Sequence, residues 1–559
     1  MEPDTVPYDR HFGRLVRDKT QSNIPVKAVY GPADVDGLDY PRDLGNPGEP
    51  PFTRGLYPEM YRRNLWLKSL IVCYATPEET NRAFKKYIAA GQTGLRVLTD
   101  TSTLSGVDPD HPLARYDIMC NGSPTFALSE YETMLDGIAL EDVDLESANS
   151  TPSGSFFTYV FLVALMEKRG ADIAKLRGTN INDPIHAFIV YGTPEFPPAL
   201  SRRVNLDLIE FGIRHTPRWH PCTPCGYDMR DAGLTSPQEM AFVIANALQY
   251  YGDAARERGL PFDGFRPMVF SMSSESDFFE TIAKFRATRR LWARVARERL
   301  GASTPRSMSC RIGIRTAGNS IYPQKPLNNT ARITLQVLAA VLGGVQAIDP
   351  SGIDETFGLP SEESRIFELD LQHIIAHEGN VPLAADPLGG SYYVEWLTTR
   401  LETEATRLLE EIDRLGGMWK CLESGWLRQQ FDRTTTEVQG EINEGKRLIV
   451  GANSFRGPDG AISRAIVDGA YKVPSDDKRF GAIDRVRTLR ETRDGDAVRG
   501  RLRELADAVR EQRNVVRAAI EATKAYATLG EMVGTIRMAH GLCFDPYERI
   551  TAPDYLALV

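Results

Sequence analysis

Between residues 57 and 394, short apolar runs alternate with longer stretches whose apolar positions recur every three or four residues. The runs predict strands at 70–74, 94–99, 187–191, 268–271, 310–315 and 345–348. The longer stretches predict helices at 77–90, 158–169, 237–258, 278–300 and 330–342. Each gap between strands can hold a helical crossover, which favours parallel pairing. Strand–helix units repeated over this length predict an α/β fold of the (β/α)8 TIM-barrel type, with an open doubly wound sheet as the alternative. No Gly-x-Gly-x-x-Gly follows a strand and no P-loop occurs, so the nucleotide-binding version of that sheet has no support.

The flanks differ. Residues 1–55 are rich in Pro, Gly, Asp and Tyr and carry little helical period. Each proline removes a backbone donor and restricts its predecessor, so this stretch reads as an extended arm lying across the main domain or a partner. Past residue 394 come helix formers with charges of both signs, at 395–415 and 418–445. A turn cluster at 451–460 leads to a further helical region at 485–531. The expected organisation is an arm (1–55), a substrate-binding barrel (56–395), a helical extension (396–455), and a linker with C-terminal subunit-contact helices (456–559). The interleaved arginines of the last region read as a solvated face with i,i+4 pairs, not a nucleic-acid surface.

Composition narrows the class without naming a chemistry. Of 559 residues, 42% are hydrophobic and 25% charged, which are globular proportions. A net charge of -9 argues against nucleic acid or an anionic membrane as the main partner. No run approaches about 18 apolar residues and no apolar h-region opens the chain, so neither a transmembrane helix nor a secretory signal is expected. Seven cysteines, an odd number, suggest reduced thiols and a cytoplasmic location.

Two small clusters raise the question of a metal. His373 and His377, with Glu378, stand at helical i,i+4 spacing. Yet HIIAHEGN is not His-Glu-x-x-His and offers no third ligand, so a polar helix edge ending at Gly379 is the simpler account. Cys222 and Cys225 form one Cys-x-x-Cys without the second pair a zinc site would want, and a structural role is the simpler reading. No metal is expected. Gly-x-Ser-x-Gly is absent, which removes support for an α/β-hydrolase nucleophile. What remains are polar residues following the strand-like runs, where barrel enzymes place their chemistry: Asp100, Tyr191, Asn319, Asp354 and Glu355, with Tyr227, Asp228 and Asp231 in the loop after 214–224.

Ten segments in order carry a family resemblance: GEPPFTRGLYPEMYRRNLW, YATPEETNRAF, AAGQTGLRVLTD, RGTNIND, PCGYDMRDAG, FRATRRLWARV, NNTARITLQVLAAVLGGVQAID, GIDETFGLP, DPLGGSYYVEWLT and AYATLGEMVGTIR. From about Ile24 to its end, the chain resembles the large, substrate-binding chain of the adenosylcobalamin-dependent acyl-CoA mutases. Its two ends are most similar to the two-chain members. The resemblance implies a barrel threading its substrate along the axis, with cobalamin capping the C-terminal face as the source of a hydrogen-abstracting radical. A dry, capped barrel suits that task, because it positions reactants and excludes quenching water. The family's cobalamin-binding domain carries Asp-x-His-x-x-Gly, and none of the eight histidines here sits in that motif. The implied partners are therefore a separate small cobalamin-binding subunit, forming a heterotetramer, and a G-protein-type chaperone.

Residue by residue, the resemblance holds on one side and breaks on the other. Glu355 matches a glutamate that holds the adenosyl ribose, and Asp231 takes the place of a second, one methylene shorter. Asn182, with Thr179 and Asp183, lies in a matching strand-end motif; Tyr227 and Gln346 also match. On the substrate side, Ile71 replaces a tyrosine and Leu98 an aspartate of the hydroxyisobutyryl-type enzymes. Tyr191 replaces the arginine that holds the free carboxylate of methylmalonyl-CoA, and a phenol cannot replace a bidentate guanidinium. Asp228 replaces a histidine that donates to the thioester carbonyl, an oxygen an ionised carboxylate would repel. Ala317 and Asn319 replace His and Gln. Asn64, Leu67 and Ser69 thin the CoA contacts, with Arg62, Arg63 and Arg266 near enough in sequence to compensate. The expectation is a mutase large subunit with Tyr227 and Asp228 catalytic. Ile71, Leu98, Thr179, Tyr191, Asn319 and Gln346 are expected at the substrate, and Asn182, Asp231 and Glu355 at adenosylcobalamin. Its substrate is expected to be a short branched or hydroxylated acyl thioester, carried on CoA, without a free carboxylate. A radical-free thioester-binding barrel and a mutase of non-CoA substrates are the alternatives.

Overall fold

The computed structural model describes residues 17–192 and 195–556, so the first 16 residues of the expected arm lie outside the described residues. Nine short strands form: β1 Leu67–Lys68, β2 Ile71–Val72, β3 Gly94–Val97, β4 Asp144–Ser147, β5 Arg177–Asn180, β6 Trp219–His220, β7 Met268–Ser274, β8 Cys310–Thr316 and β9 Ala347–Asp349. All pair in parallel, in the orders β2-β3-β4-β5-β6 and β1-β9-β8-β7. At one seam, β1 and β2 are halves of a single stretch, the first paired with β9 and the second with β3. At the other seam, a parallel bridge between Cys225 and Ser271 ties the segment after β6 to β7, through Ser271 N–H to the Pro224 carbonyl at 3.1 Å and Gly226 N–H to the Ser271 carbonyl at 2.7 Å. Eight strand positions thus run around a (β/α)8 barrel.

Each position is followed by an outer helix: Pro77–Ala89, Leu128–Met134, Pro152–Lys168, Pro198–His215, Ser236–Arg258, Phe278–Leu300, Asn328–Leu342 and Glu362–His373. Their starts are written locally. Thr76 with Glu79, and Thr235 with Gln238, form reciprocal capping boxes that satisfy orphan amides at the C-terminal end of the barrel. Pro152–Lys168 is buried almost all round, because the C-terminal helices Gly495–Arg510, Val516–Lys524 and Leu529–Ala539 cover its outer side.

One predicted strand is a helix. Residues 187–191 fall in and beside Pro184–Val190, whose first turn holds a proline and is capped by Asp183 accepting from His186 N–H at 3.2 Å. Conversely, β4, β5 and β6 do not read as apolar runs. They carry Glu146, Thr179 and His220, polar side chains that line the barrel interior. The described arm runs down the outer wall: Gln21 and Ser22 bond the helix starts at Asp277 and Glu280, Tyr30 packs on Tyr393 and Trp396, and Arg289 donates to the Phe52 and Thr53 carbonyls. The extension forms Tyr392–Arg414, then Met418–Glu423 and Trp426–Asn443, interrupted at Gly425 in the left-handed region. Among the described residues, no helix is long and apolar enough to cross a membrane.

Candidate active site

Barrels of this kind are ordinarily filled by bulky branched side chains. Here Ser69, Thr179, Thr223, Ser271, Gly313 and Ala347 line the middle of the interior and leave a cavity of about 390 Å³. A β-carbon at Gly313 would meet only the Ala347 methyl, at 3.7 Å. Gly178 serves the wall instead: its φ is +142°, and a β-carbon there would lie 1.7 Å from the Leu145 carbonyl oxygen.

At the N-terminal end of the strands, Arg177, Arg218, Arg266 and Arg311 line the cavity with Tyr57, Tyr61 and Asn64. Among the described residues, Arg218, Arg266 and Arg311 form no ion pair. Burial, together with Arg311, Arg306 and Arg218, pushes the Arg266 guanidinium down to about 10. Burial and the same crowding hold His220 well below its ordinary value. Cations left unpaired at the end of a cavity suit a polyanion.

Nearer the C-terminal end, every guanidinium is matched. Arg96 reaches Glu146 at 2.5 Å and Asp349 at 2.9 Å. Asp349 also accepts from Ile71 N–H at 3.1 Å and lies 3.7 Å from Arg315, which pairs with Glu355. Arg365 holds Glu368 at 2.6 Å, yet burial pushes that carboxyl up to about 8.

The mouth above this layer is built on the short helix Tyr227–Asp231. The Tyr227 ring lies 5.6 Å from the Arg315 guanidinium, and burial raises its phenol well above the ordinary value. Burial, then the charge of Glu275, pushes Asp231 up to about 7. Its Oδ2 accepts from Gly318 N–H at 3.0 Å, while Oδ1 is buried without a partner. Glu355 accepts from Gly352 N–H at 2.9 Å. Asp228 Oδ2 lies 2.9 Å from His186 Nε2, an ion-pair distance without an aligned N–H, and accepts from Cys225 Sγ at 3.5 Å. Burial opposes charge on both groups, but the neighbouring thiol and Asp228 raise His186 well above its ordinary value, and His186 lowers Asp228.

Comparison with known proteins agrees with this architecture. The family model described as methylmalonyl-CoA mutase matches residues 19–542. The chain belongs to the methylmalonyl-CoA mutase family. It is 36% identical to the 2-hydroxyisobutanoyl-CoA mutase large subunit of Aquincola tertiaricarbonis, over 93% of this chain and 91% of that one. It is 32% identical to the methylmalonyl-CoA mutase of Escherichia coli K12, over 95% and 73% of the two chains, and 31% to the human mitochondrial enzyme, over 93% and 68%. The family comprises adenosylcobalamin-dependent isomerases, and this chain is a cobalamin-dependent acyl-CoA mutase of that family; the Aquincola relative is named as a large subunit, which implies a small subunit for that protein.

Within this mutase-family barrel, Tyr191, Tyr227, Asp228, Asp231, Asn319 and Glu355 all gather at the C-terminal mouth. Tyr191 is 47% exposed and its hydroxyl accepts from Ser150 Oγ at 3.2 Å. Asn319 donates to the Asp231 carbonyl at 3.3 Å. Ile71 opens β2, opposite Arg96, and Leu98 directly follows β3, its N–H facing Cys73 Sγ at 2.8 Å. Thr179 lies lower, bonded to Thr223 in the cavity wall. Gln346 is at the opposite end, bonded to Ile312 N–H at 2.9 Å and the Gly344 carbonyl at 2.8 Å. Asn182 turns into the helix layer, donating to Asn205 at 2.9 Å. Arg62 and Arg63 are exposed and do not line the cavity, whereas Arg266 does.

His373 and His377 stack 6.0 Å apart, with His373 Nε2 3.3 Å from the Ala90 carbonyl, as a polar helix edge. Cys222 and Cys225 are both free thiols. Sequence reasoning missed His186, Cys225 as a mouth residue, and the ring of arginines. One signal was available: in β8, the alternation Arg311, Gly313, Arg315 places two arginine side chains on one face with a glycine gap between them.

The mouth fits the family's cofactor. Asp231 Oδ1 is a buried acceptor lacking a donor, and the Glu355 carboxylate opens beside it across Arg315 and Tyr227. Ribose hydroxyls are donors of the required kind.

Proposed function

We propose that this chain binds a short branched or hydroxylated acyl-CoA without a free carboxylate and, with a small cobalamin-binding subunit, catalyses its carbon-skeleton rearrangement. The observation that carries the reading is the cavity of about 390 Å³, walled by small residues and ended by unpaired arginines. Arg218, Arg266 and Arg311 would hold the CoA phosphates, and the narrow interior would take the uncharged pantetheine arm and shed its water. The acyl group then arrives beneath Tyr227, Asp228, Tyr191, Ile71 and Leu98.

Asp231 and Glu355 would accept hydrogen bonds from the adenosyl ribose. Adenosylcobalamin, when bound, supplies a carbon-centred radical for hydrogen abstraction. Arg96, Arg315 and Arg365 are already matched to carboxylates, and Tyr191 offers only a phenol. Among the arginines near the mouth, a substrate carboxylate would therefore find none free, which disfavours methylmalonyl-CoA. Asp228, ionised beside His186, can accept from a substrate hydroxyl, while Ile71 and Leu98 leave apolar room for branching. A cytoplasmic heterotetramer maintained by a G-protein-type chaperone completes the proposal.

The test is direct. Both subunits, with adenosylcobalamin, are incubated with 2-hydroxyisobutyryl-, isobutyryl-, pivalyl- and methylmalonyl-CoA while cob(II)alamin absorbance and isomeric products are followed. Turnover of a carboxylate-free ester at least tenfold above methylmalonyl-CoA is expected. Preference for methylmalonyl-CoA, or silence across the panel, sinks the reading.

A further inference from the structure

We propose that His186, Cys225 and Asp228 form a divalent-cation site, of the kind that takes zinc, at the C-terminal mouth of the barrel. One ligand atom from each lies within 4.8 Å of the other two. With zinc–sulfur and zinc–oxygen bonds of about 2.3 Å and about 2.1 Å, tetrahedral geometry places the two ligand atoms about 3.6 Å apart. Cys225 Sγ and Asp228 Oδ2 are 3.5 Å apart as they stand. His186 Nε2 and Asp228 Oδ2, at 2.9 Å, need to open by about 0.5 Å to reach the corresponding nitrogen–oxygen separation.

The site is built rather than fortuitous. His186 is fully buried, and neither imidazole nitrogen has an aligned hydrogen-bond partner. Asp183 clamps the backbone of two ligands at once: its Oδ1 accepts from His186 N–H at 3.2 Å and its Oδ2 from Cys225 N–H at 2.9 Å. Asn246 and Tyr250 hold Asp183 in turn. This is the second layer of support that metal ligands require, applied through the main chain. The Asp228 side chain is 23% exposed and is the solvent-facing member, so the open coordination position lies toward the mouth. Cys225 would bind as thiolate and His186 as neutral imidazole, each releasing its proton to solvent, and the two anionic ligands would balance a divalent charge.

The role of the cation rests on the mutase reading. Asp228 puts a negative charge where the family resemblance calls for a donor to the thioester carbonyl. A bound cation reverses that sign and acts as a Lewis acid on the same oxygen. It also favours one substrate class: in a 2-hydroxyacyl thioester, the hydroxyl and carbonyl oxygens close a five-membered chelate on one metal, and zinc accepts a fifth ligand.

The binding test needs no cobalamin, small subunit or thioester, so its outcome is independent of the mutase reading. The full-length chain is stripped with a chelator, dialysed against zinc chloride alone, and analysed for metal. One zinc per chain is expected, with affinity falling at least tenfold in Cys225→Ser and in Asp228→Asn. Cys222→Ser, whose thiol donates to the Asn182 carbonyl outside the cluster, should retain it. Titration of the wild-type chain with cobalt(II) chloride should give a thiolate-to-cobalt charge-transfer band in the near ultraviolet, absent from Cys225→Ser. Where Cys225→Ser does not fold, the wild-type cobalt spectrum and Asp228→Asn decide. No retained zinc, retention unchanged by Asp228→Asn, or a cobalt spectrum without the thiolate band overturns the proposal.

Discussion

The two ends of the barrel interior carry similar numbers of arginines and use them in opposite ways. At the C-terminal end, Arg96 and Arg315 each meet a carboxylate on a neighbouring strand or loop, and Arg365 meets Glu368 one turn along its own helix. At the N-terminal end, Arg218, Arg266 and Arg311 crowd one another instead, and Arg266 is pushed down to about 10. A guanidinium already paired inside the fold is scaffold, and one left unpaired at a cavity is offered to a ligand. Residue type alone does not separate these cases; the company each arginine keeps does.

The comparison is broken most sharply by removing a paired arginine. Arg96→Met strands Glu146 and Asp349, and the expected loss is about 3–5 kcal/mol in denaturant unfolding. A loss below about 1 kcal/mol would mean that the upper layer is not scaffold. Next comes the space between the two ends. Gly313→Leu fills the cavity at a position where a β-carbon meets only one methyl, so folding should be kept while kcat/KM falls at least about 100-fold, or ~2.7 kcal/mol. Undiminished turnover in a folded variant would remove the axial route.

The unpaired end should behave differently. Arg311→Ala is expected to raise KM for the CoA ester about tenfold with kcat unchanged, and to move stability by no more than about 0.5 kcal/mol. The last effect is a pH slope. Asp231 is pushed up to about 7 in the folded chain from 3.8, so the native state binds more protons than the unfolded one between those values. Stability contributed by this group is full below about pH 4, falls as pH rises, and levels off above about pH 7, at no more than about 1.4 kcal/mol per pH unit. Unfolding of Asp231→Asn measured across that range should show a shallower fall than the parent.

Much of the scaffold was legible before any coordinates. The long helices at 237–258 and 278–300 appear as Ser236–Arg258 and Phe278–Leu300, because amphipathic period and terminal caps are local properties. The strands β4 to β6 were not legible. Glu146, Thr179 and His220 face the interior of a barrel that encloses a cavity, and this removes the apolar run by which a buried strand is recognised. The run at 187–191 misled for the opposite reason, since its apolar side chains face the helix layer. Within the site, Glu355, Asp231 and Tyr227 were reachable through motif resemblance. His186 was not, because nothing in its own neighbourhood links it to Asp228, 42 residues later in the chain.

By itself, the sequence determined the strand–helix rhythm and the family, and it marked Tyr191 and Asp228 as positions where this chain differs from what the family resemblance implies. Only the tertiary structure decided which charges meet. It paired Asp228 with His186, matched Arg315 to Glu355, and left Arg311, four residues earlier on the same strand face, without an ion pair among the described residues. The physical reason is that caps and periodicity are settled within a few residues. A charge's partner is settled by strand register and by loops that converge from distant parts of the chain.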